Sequence, residues 1–597
     1  MENYKVHTHD VLVIGAGGAG MRAAYEASLG GASVGLVSKS LLGKAHTVMA
    51  EGGMAASLAN VHSEDNWKVH FRDTMRGGKL INNSRMAEIF AKEAPERVLE
   101  LEQWGAVFDR TPDGRISQRA FGGHLYNRLA HIGDRTGLEL IRTLQDKVVT
   151  QKVDVYMEYT VHSLLMDGQR VSGAIGYNRQ TGEFVVFQAK AVVLATGGLG
   201  KLYKITSNSW ECTGDGFALA SQVGADLIDM EFVQFHPTGM VWPPGVMGLL
   251  VTEGVRGDGG VLKNSKGERF MFRYVPDMFK GEYAETEEEG ARWLKGDKSA
   301  RRPPELLTRD IVAKAITREV REGRGSPHGG VFLDIASQRD AAFIRRRLPS
   351  MYQQFKELAN VDITKQPMEI GPTCHYIMGG IRVDPETQAT TMQGLYAAGE
   401  VAAGLHGANR LGGNSLTDLV VFGRRAGLHA AEFAKKLPGT PSADKAQVSK
   451  YIDEMLAPFK AADGENPYDV FSDLRAAMQD NVGLVRNADD MKKALQVITQ
   501  LRQRAAKTRV TGSRVYNPGW HTALQLHLML TTAEAVVLGA LERTESRGGH
   551  TREDYPDTSK EMGKLLFIAR RKGGGLAVAR ETRVEVSPEL QPLLLEK

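Results

Sequence analysis

Three short patterns, widely separated along 597 residues, constrain this chain more than any other feature. A strand-like run at residues 10–14 enters Gly15-Ala16-Gly17-Gly18-Ala19-Gly20, and a second at 191–194 enters Ala195-Thr196-Gly197-Gly198. A third, Gly394-Leu395-Tyr396-Ala397-Ala398-Gly399, ends in Glu400. Each reads as a buried strand delivering a tight turn or a carboxylate to one edge of a sheet. In a doubly wound fold that edge is where a dinucleotide lies. One ligand held by segments so far apart requires other domains inserted between them. The length points the same way, because it exceeds what a single core supports.

The first turn has the context of a dinucleotide fingerprint, with a strand before it and a helix after it. Gly15 and Gly17 let the backbone approach a pyrophosphate, and Ala16, Gly18, Ala19 and Gly20 lead into the helix. The helix N-terminus supplies N–H donors and partial positive charge. Ala23, Ala24 and Ala27 keep that helix thin enough to pack on the sheet. A nicotinamide site carries an acid about 20 residues further on. Here the second strand, 33–37, ends in Ser38-Lys39 instead. The missing acid favours FAD, with its adenosine held by Ser38, Lys39 and backbone groups. Glu400 is placed to accept hydrogen bonds from ribityl hydroxyls. Taken alone it is more readily a solvated strand-end carboxylate, but the three patterns together favour the cofactor role.

Composition narrows the rest. The 75 basic and 71 acidic residues nearly balance, and no basic arm suggests nucleic acid. The two cysteines, Cys212 and Cys374, have no metal-ligand spacing, so no metal site and no iron–sulfur cluster of its own is expected. No apolar stretch reads as long enough to span a bilayer, and residues 1–10 show neither a signal core nor a twin-arginine run. A cytoplasmic location, docked on a membrane through partners, is the expectation.

From about 250 to 365 the character changes. Glu287-Glu288-Glu289, Arg301-Arg302 and an amphipathic helix at 310–322 suggest an inserted cap whose charged runs are solvated faces. A helix at 416–436 then closes the main domain. Leu437-Pro438-Gly439-Thr440-Pro441-Ser442 reads as a linker, and the spacing of Leu495, Ile498 and Leu501 as amphipathic helix. The expected fold class is α/β: a Rossmann-like FAD-binding domain (1–250 and 366–436) with an inserted α+β capping domain (251–365). A helical domain (447–543) and a mixed C-terminal domain (544–597) follow.

Further strings stand out: His46-Thr47-Val48-Met49-Ala50-Glu51-Gly52-Gly53, Phe121-Gly122-Gly123, Asp134-Arg135-Thr136-Gly137 and Thr213-Gly214-Asp215-Gly216. They continue with Gln234-Phe235-His236-Pro237-Thr238-Gly239, Thr252-Glu253-Gly254, Pro372-Thr373-Cys374-His375-Tyr376 and His406-Gly407-Ala408-Asn409-Arg410-Leu411-Gly412-Gly413-Asn414-Ser415-Leu416. Through them, nearly end to end, the chain resembles the flavoprotein subunit of bacterial succinate dehydrogenases and fumarate reductases. The resemblance implies FAD carried covalently by His46 through a methyl group of the flavin ring. It also implies cofactor contacts from Thr47, Gly52, Gly53, Asp215, Asn414, Ser415 and Leu416.

The residues themselves suggest a small dianionic substrate, because 234–256 and 372–416 concentrate His, Thr, Glu and Arg near glycine-rich turns. His236, Thr252, His375 and Arg410 fit as carboxylate binders, Arg410 in bidentate fashion, and the resemblance implies the same. It further implies proton transfer through Arg309, in Thr308-Arg309-Asp310, with Glu253 and Arg256 completing a relay. A free guanidinium stays protonated, so Arg309 must pass a proton on as it receives one. Read from sequence alone, Arg309 is more readily a helix-end cation paired with Asp310.

The family implies a quinone-reactive membrane anchor, an iron–sulfur subunit and a peripheral position on the cytoplasmic face of the cell membrane. Succinate oxidation is the expected role, with fumarate reduction the alternative. Glu51 bears on the direction, since succinate-oxidising members tend to have Gln there and fumarate-reducing members Glu. A soluble L-aspartate oxidase-like enzyme is a further alternative, against which His46 and the long helical domain argue. A non-enzymatic flavin-binding assembly protein would have lost the relay and carboxylate residues, and they are present.

Overall fold

The computed structural model describes residues 3–439 and 441–595. Met1 and Glu2 of the expected start, Thr440 of the expected linker and the last two residues of the C-terminal domain lie outside them. Strand β1 (Tyr4–Ile14), helix α1 (Gly18–Leu29) and strand β2 (Val34–Ser38) form the opening unit. β1 pairs in parallel with β2 and with β3 (Phe184–Leu194), and β3 pairs in parallel with β4 (Leu395–Ala397). Ile14 is level with Val37 and Leu194, and Leu194 with Ala397. The three sequence patterns therefore leave the sheet along one edge. Residues 11–14 of β1 and 191–194 of β3 are almost wholly buried, as strands covered on both faces must be. Asp154–Met157 extends the sheet beyond β2, and Arg170–Asn178 and Tyr159–Asp167 extend it beyond β3.

Helix α1 is covered by α2 (Asn414–Lys435), the helix expected at 416–436. A Cβ at Gly427 would fall 2.2 Å from the Ala23 carbonyl oxygen, so the two backbones touch. Small residues on both helices make that approach possible.

The cap has its own antiparallel sheet, ordered Val233–Met240, Met368–Ile377, Val331–Asp334, Val261–Lys263. Two of its strands lie outside the expected 251–365, so the chain enters the cap earlier and leaves it later than composition suggested. Those crossing strands carry His236 and His375. The expected helix at 310–322 is Arg309–Glu319, continued by a wider turn, Val320–Arg324, in which Gly323 takes a φ of +74°. Glu287 and Glu288 are solvent-exposed as expected, whereas Glu289 holds Arg301 at 2.7 Å. Arg302 is no solvated face: it donates to the carbonyls of His124 and Leu125, tying the cap to the main domain.

The helical region comprises Lys445–Lys460, Pro467–Asn481, Ala488–Ala505 and α3 (Pro518–Glu542). Helix α3 corrects the reading of the apolar stretches. Its 25 residues, with mean hydropathy 1.5 in the most apolar window, are long and apolar enough to cross a membrane, yet 67% of that window is buried inside the protein. It is apolar all round because it forms the centre of a helical core. The tail folds back onto the main domain, where the hairpin Leu565–Lys572/Gly575–Thr582 pairs with Leu227–Ile228. Arg543 joins it there through Glu231 at 2.5 Å and Glu545 at 2.9 Å.

Candidate active site

Along the shared edge lies a solvent-open cavity. Gly15 to Ala19, Ser38, Lys39, Thr47, Asp215 and Glu400 line it, together with Ser415, Leu416, His46, His375 and Arg410. Gly15 has a φ of +112°, and a Cβ there would stand 2.2 Å from the Ala195 carbonyl oxygen. The first and second turns thus cross at backbone contact, which only glycine allows. The Gly18 amide at the start of α1 donates to Thr47 Oγ1 at 3.2 Å, and Gly17 before it has no side-chain cap. Lys39 Nζ lies 2.6 Å from Asp215 and 2.8 Å from Thr213 Oγ1, which draws the 213–216 turn to the end of β2. On residues that line the cavity, Thr196 Oγ1, Glu211 Oε2 and Arg410 Nε are buried without partners, a cost that a polar ligand could offset. An FAD molecule fits this set: glycine backbone and a helix N-terminus for its diphosphate, and carboxylates for its hydroxyls.

Not every expected cofactor residue reaches the cavity. Gly20 packs α1 on its strand, where a Cβ would fall 1.7 Å from the Gly15 oxygen. Gly52 offers its carbonyl to Arg119 at 2.8 Å, and Gly53, at φ +128°, passes close to the Ala130 oxygen. Asn414 turns inward to His70 and Thr74, each at 3.1 Å.

Glu400 receives the Ile377 amide at 3.1 Å, but enclosure in the protein raises its carboxyl to about 7. His46 begins a short 3-10 turn at the cavity wall. The Ser209 amide donates to its Nδ1 at 3.2 Å, and Asn208 Nδ2 lies 3.3 Å from its Nε2. Enclosure, with Lys201 and Arg410 adding to it, lowers its pKa to about 4 and keeps the ring neutral near pH 7. Glu51 Oε2 is shut off from solvent, and enclosure together with Asp134 pushes that carboxyl well above its usual range.

Beyond Arg410 the cavity borders a knot of charged groups. Arg309 Nε donates to Glu253 Oε2 at 2.8 Å, and Arg256 lies 3.7 Å from the same oxygen. The other Glu253 oxygen receives the Gly122 amide at 2.7 Å, which accounts for the Phe-Gly-Gly string. Burial raises the Glu253 pKa, but Arg309 and Arg256 outweigh it and the net shift is downward. Asp310 pairs with Lys79 at 3.3 Å, so Arg309 is free of the neighbour that sequence alone suggested.

Arg410 lies 4.1 Å over the Tyr376 ring and donates to Ser415 Oγ at 2.6 Å. Burial and Arg309 lower its pKa to about 9, as for a cation awaiting an anion. The His236 and His375 rings are 5.1 Å apart, and burial holds both well below their ordinary pKa. Ser207 Oγ lies 2.7 Å from His375 Nδ1. Thr252 is buried, with its hydroxyl accepting from the Gly254 amide at 3.2 Å.

Sequence reasoning missed Gln234, whose side-chain oxygen accepts from Arg309 at 3.2 Å and from Arg410 at 3.1 Å. Its position two residues before His236 on one strand was the available signal. A register shift after Gln234 in the pairing with Met368–Ile377 aims it at both arginines.

Residues 10–416 match the family model for an FAD binding domain, and residues 472–581 that for the fumarate reductase flavoprotein C-terminus. A fumarate reductase (CoM/CoB) subunit of Methanothermobacter marburgensis is 44% identical over 94% of this chain and 97% of its own length. The succinate dehydrogenase flavoprotein subunit of Coxiella burnetii is 38% identical, over 93% of each chain. Among solved structures, Mycobacterium smegmatis Sdh1 in complex with UQ1 superposes with a TM-score of 0.84 at 54% identity, covering 98% of this chain and 95% of its own. Escherichia coli quinol fumarate reductase FrdA gives 0.89 at 34% identity, covering 98% of each. With the cavity and its charged end, these matches identify an FAD-dependent oxidoreductase that belongs to the succinate dehydrogenase and fumarate reductase flavoprotein family.

Proposed function

We propose that this chain is the catalytic subunit of a succinate:quinone oxidoreductase, with FAD attached through His46. The observation that carries this reading is the charge at the end of the cavity. Arg256 and Arg309 share one buried carboxylate, Glu253, while Arg410 beside them has no ion-pair partner among the described residues, so with two neutral histidines the cluster keeps an excess of positive charge for a dicarboxylate. FAD, when bound, supplies a two-electron acceptor for hydride.

The chain's own residues do the rest. Arg410, His236, His375 and Thr252 hold the two carboxylates and orient the bond between the reacting carbons. Donors on the carboxylate beside the deprotonated carbon stabilise enolate-like charge as it develops. Arg309 accepts the proton from that carbon as it passes another to Glu253, with Arg256 keeping the carboxylate ionised. The cap excludes water by closing over the site with Arg309 on its helix.

Electrons leave through an iron–sulfur subunit, and a quinone-reactive anchor holds the complex peripherally on the cytoplasmic face of the membrane. The relatives named as subunits of such enzymes support this assembly. Fumarate reduction is the second reading, favoured by the enclosed, proton-holding Glu51 and by the 44% identical relative named a fumarate reductase.

Two measurements test the proposal. In a denaturing gel, ultraviolet fluorescence should follow the wild-type band and vanish from His46→Ser, while the folded variant still binds FAD. Fluorescence retained in His46→Ser overturns the attachment. Voltammetry of the purified complex with succinate and with fumarate should give the larger current for succinate oxidation, and the opposite bias reverses the direction.

A further inference from the structure

Gln234 stands where two catalytic cations meet, and it is chemically unlike them. It is 1% exposed and satisfies its amide completely. The oxygen accepts from Arg309 Nη1 at 3.2 Å and from Arg410 Nη2 at 3.1 Å. The nitrogen donates to the Arg410 carbonyl at 2.8 Å and to Asn409 Oδ1 at 3.0 Å. Asn409 in turn donates to the Gly77 carbonyl at 3.3 Å, anchoring the chain of bonds in the main domain. Because guanidinium groups can only donate, the amide orientation is unambiguous.

Two features of this arrangement matter. Arg309 belongs to the cap helix and Arg410 to the loop before α2, so one oxygen ties the proton-transfer group to the substrate clamp across a domain boundary. The common acceptor is also neutral. A carboxylate would suit two cations better in isolation, but it would cancel positive charge available to a dianion.

We propose that Gln234 is a positioning residue for the oxidoreductase reaction: a neutral shared acceptor that fixes Arg309 and Arg410 relative to each other while preserving the site's charge for a dicarboxylate. This rests on the dicarboxylate reading above. It assigns different consequences to charge and to geometry. Gln234→Glu keeps the shape and the acceptors but adds a charge. Gln234→Met keeps the volume but removes the acceptor.

The test uses holoenzyme, with malonate binding followed by the flavin difference spectrum and kcat by dye reduction. Gln234→Glu should retain FAD and weaken malonate binding about tenfold or more, as expected for a charge placed within a few ångströms in a protein interior. Gln234→Met should retain FAD and lose about tenfold to hundredfold in kcat. Its effect should also be non-additive with Arg410→Ala: in that background, Gln234→Met should change malonate affinity less than about threefold. A residue with only a packing role would give additive losses.

The role is overturned if Gln234→Glu binds malonate as tightly as wild type, or if Gln234→Met costs as much with Arg410 absent as with it present. Wild-type enzyme that binds no malonate overturns the dicarboxylate reading and this role with it. Wild-type binding with unchanged variants overturns the role alone.

Discussion

Arg309 and Arg410 are both buried guanidiniums within reach of one amide, yet their other contacts separate their work. Arg309 is held by Glu253, an ionised carboxylate through which protons can pass. Arg410, on the cavity wall, lies over Tyr376 and reaches Ser415, and its buried Nε is unpartnered. Arg309→Ala should therefore cut kcat by roughly 10²–10⁴-fold with FAD content intact. Arg410→Ala should weaken dicarboxylate affinity as well as turnover. Steady-state kinetics with inhibitor titration separates the two, and near-normal kcat in Arg309→Ala would move the proton transfer elsewhere.

Glu400 gives a pH test at the same scale. Its carboxyl is raised to about 7 in the folded chain. The native state therefore holds a proton that the unfolded chain releases near pH 4.5. That contribution to stability is complete below pH 4.5 and is lost as pH rises through 7. FAD-free protein, prepared from His46→Ser, should lose at most about 3 kcal/mol over this interval, less where water screens the carboxylate. Glu400→Gln should flatten this part of the thermal-melting profile, and an unchanged profile would contradict the assignment.

Residues of this kind were legible because each belongs to a short contiguous string. Lys79 belongs to none, and Gln234, though inside one, showed no role because its partners Arg309 and Arg410 are far along the chain and are met only after folding.

At the scale of elements, the parallel strands were legible because apolar runs ending in glycine or acid have few other uses. The cap boundaries were not. Val233–Met240 and Met368–Ile377 carry site residues, and composition gave no break where they cross between domains. Helix α3 was missed as an apolar segment of bilayer-spanning length, because a helix buried by helices has no polar face to mark it.

The placing of the cap helix depends on a contact no pattern foretold. Lys79 and the next residue, Leu80, both take positive φ, at 60° and 61°, in a turn whose carbonyls are held by the tail. Arg547 reaches the Lys79 oxygen at 3.2 Å, and Arg583 the Ile81 oxygen at 2.8 Å. Non-glycine residues in this region of φ carry strain, which such contacts maintain. The strained turn aims Lys79 at Asp310, next to Arg309. Lys79→Met should leave FAD binding intact and destabilise the fold by roughly 1–3 kcal/mol, because buried Asp310 loses its ion-pair partner and keeps Lys314 and Thr308 nearby. It should lower kcat more than dicarboxylate affinity, since Arg410 sits on the other domain. Wild-type kcat in this variant would show that the ion pair does not position Arg309.

The molecule as a whole brings the cofactor cavity and one charged pocket together from segments spread between Gly15 and Ser415, and the tail holds the Lys79 turn through Arg547. Nothing in that assembly gives the electrons a second centre among the described residues. A cysteine-ligated cluster needs four thiolates, whereas the chain has two cysteines, both buried. Burial and nearby Glu400 also push the Cys212 thiol up to about 12, far from the thiolate a cluster needs. On the proposed function the exit lies through another protein. On that reading small dyes react at the mouth of the cavity, while a membrane quinone is reached only through the partner subunits. The purified chain with FAD should accordingly reduce soluble dyes at the expense of succinate and leave quinone oxidised. Addition of the iron–sulfur and anchor subunits should restore quinone reduction without changing the dye-linked KM for succinate. Quinone reduction by the single chain at the rate of the assembled complex would remove the need for a partner, and dye reduction that fails even with bound FAD would remove the catalytic assignment itself.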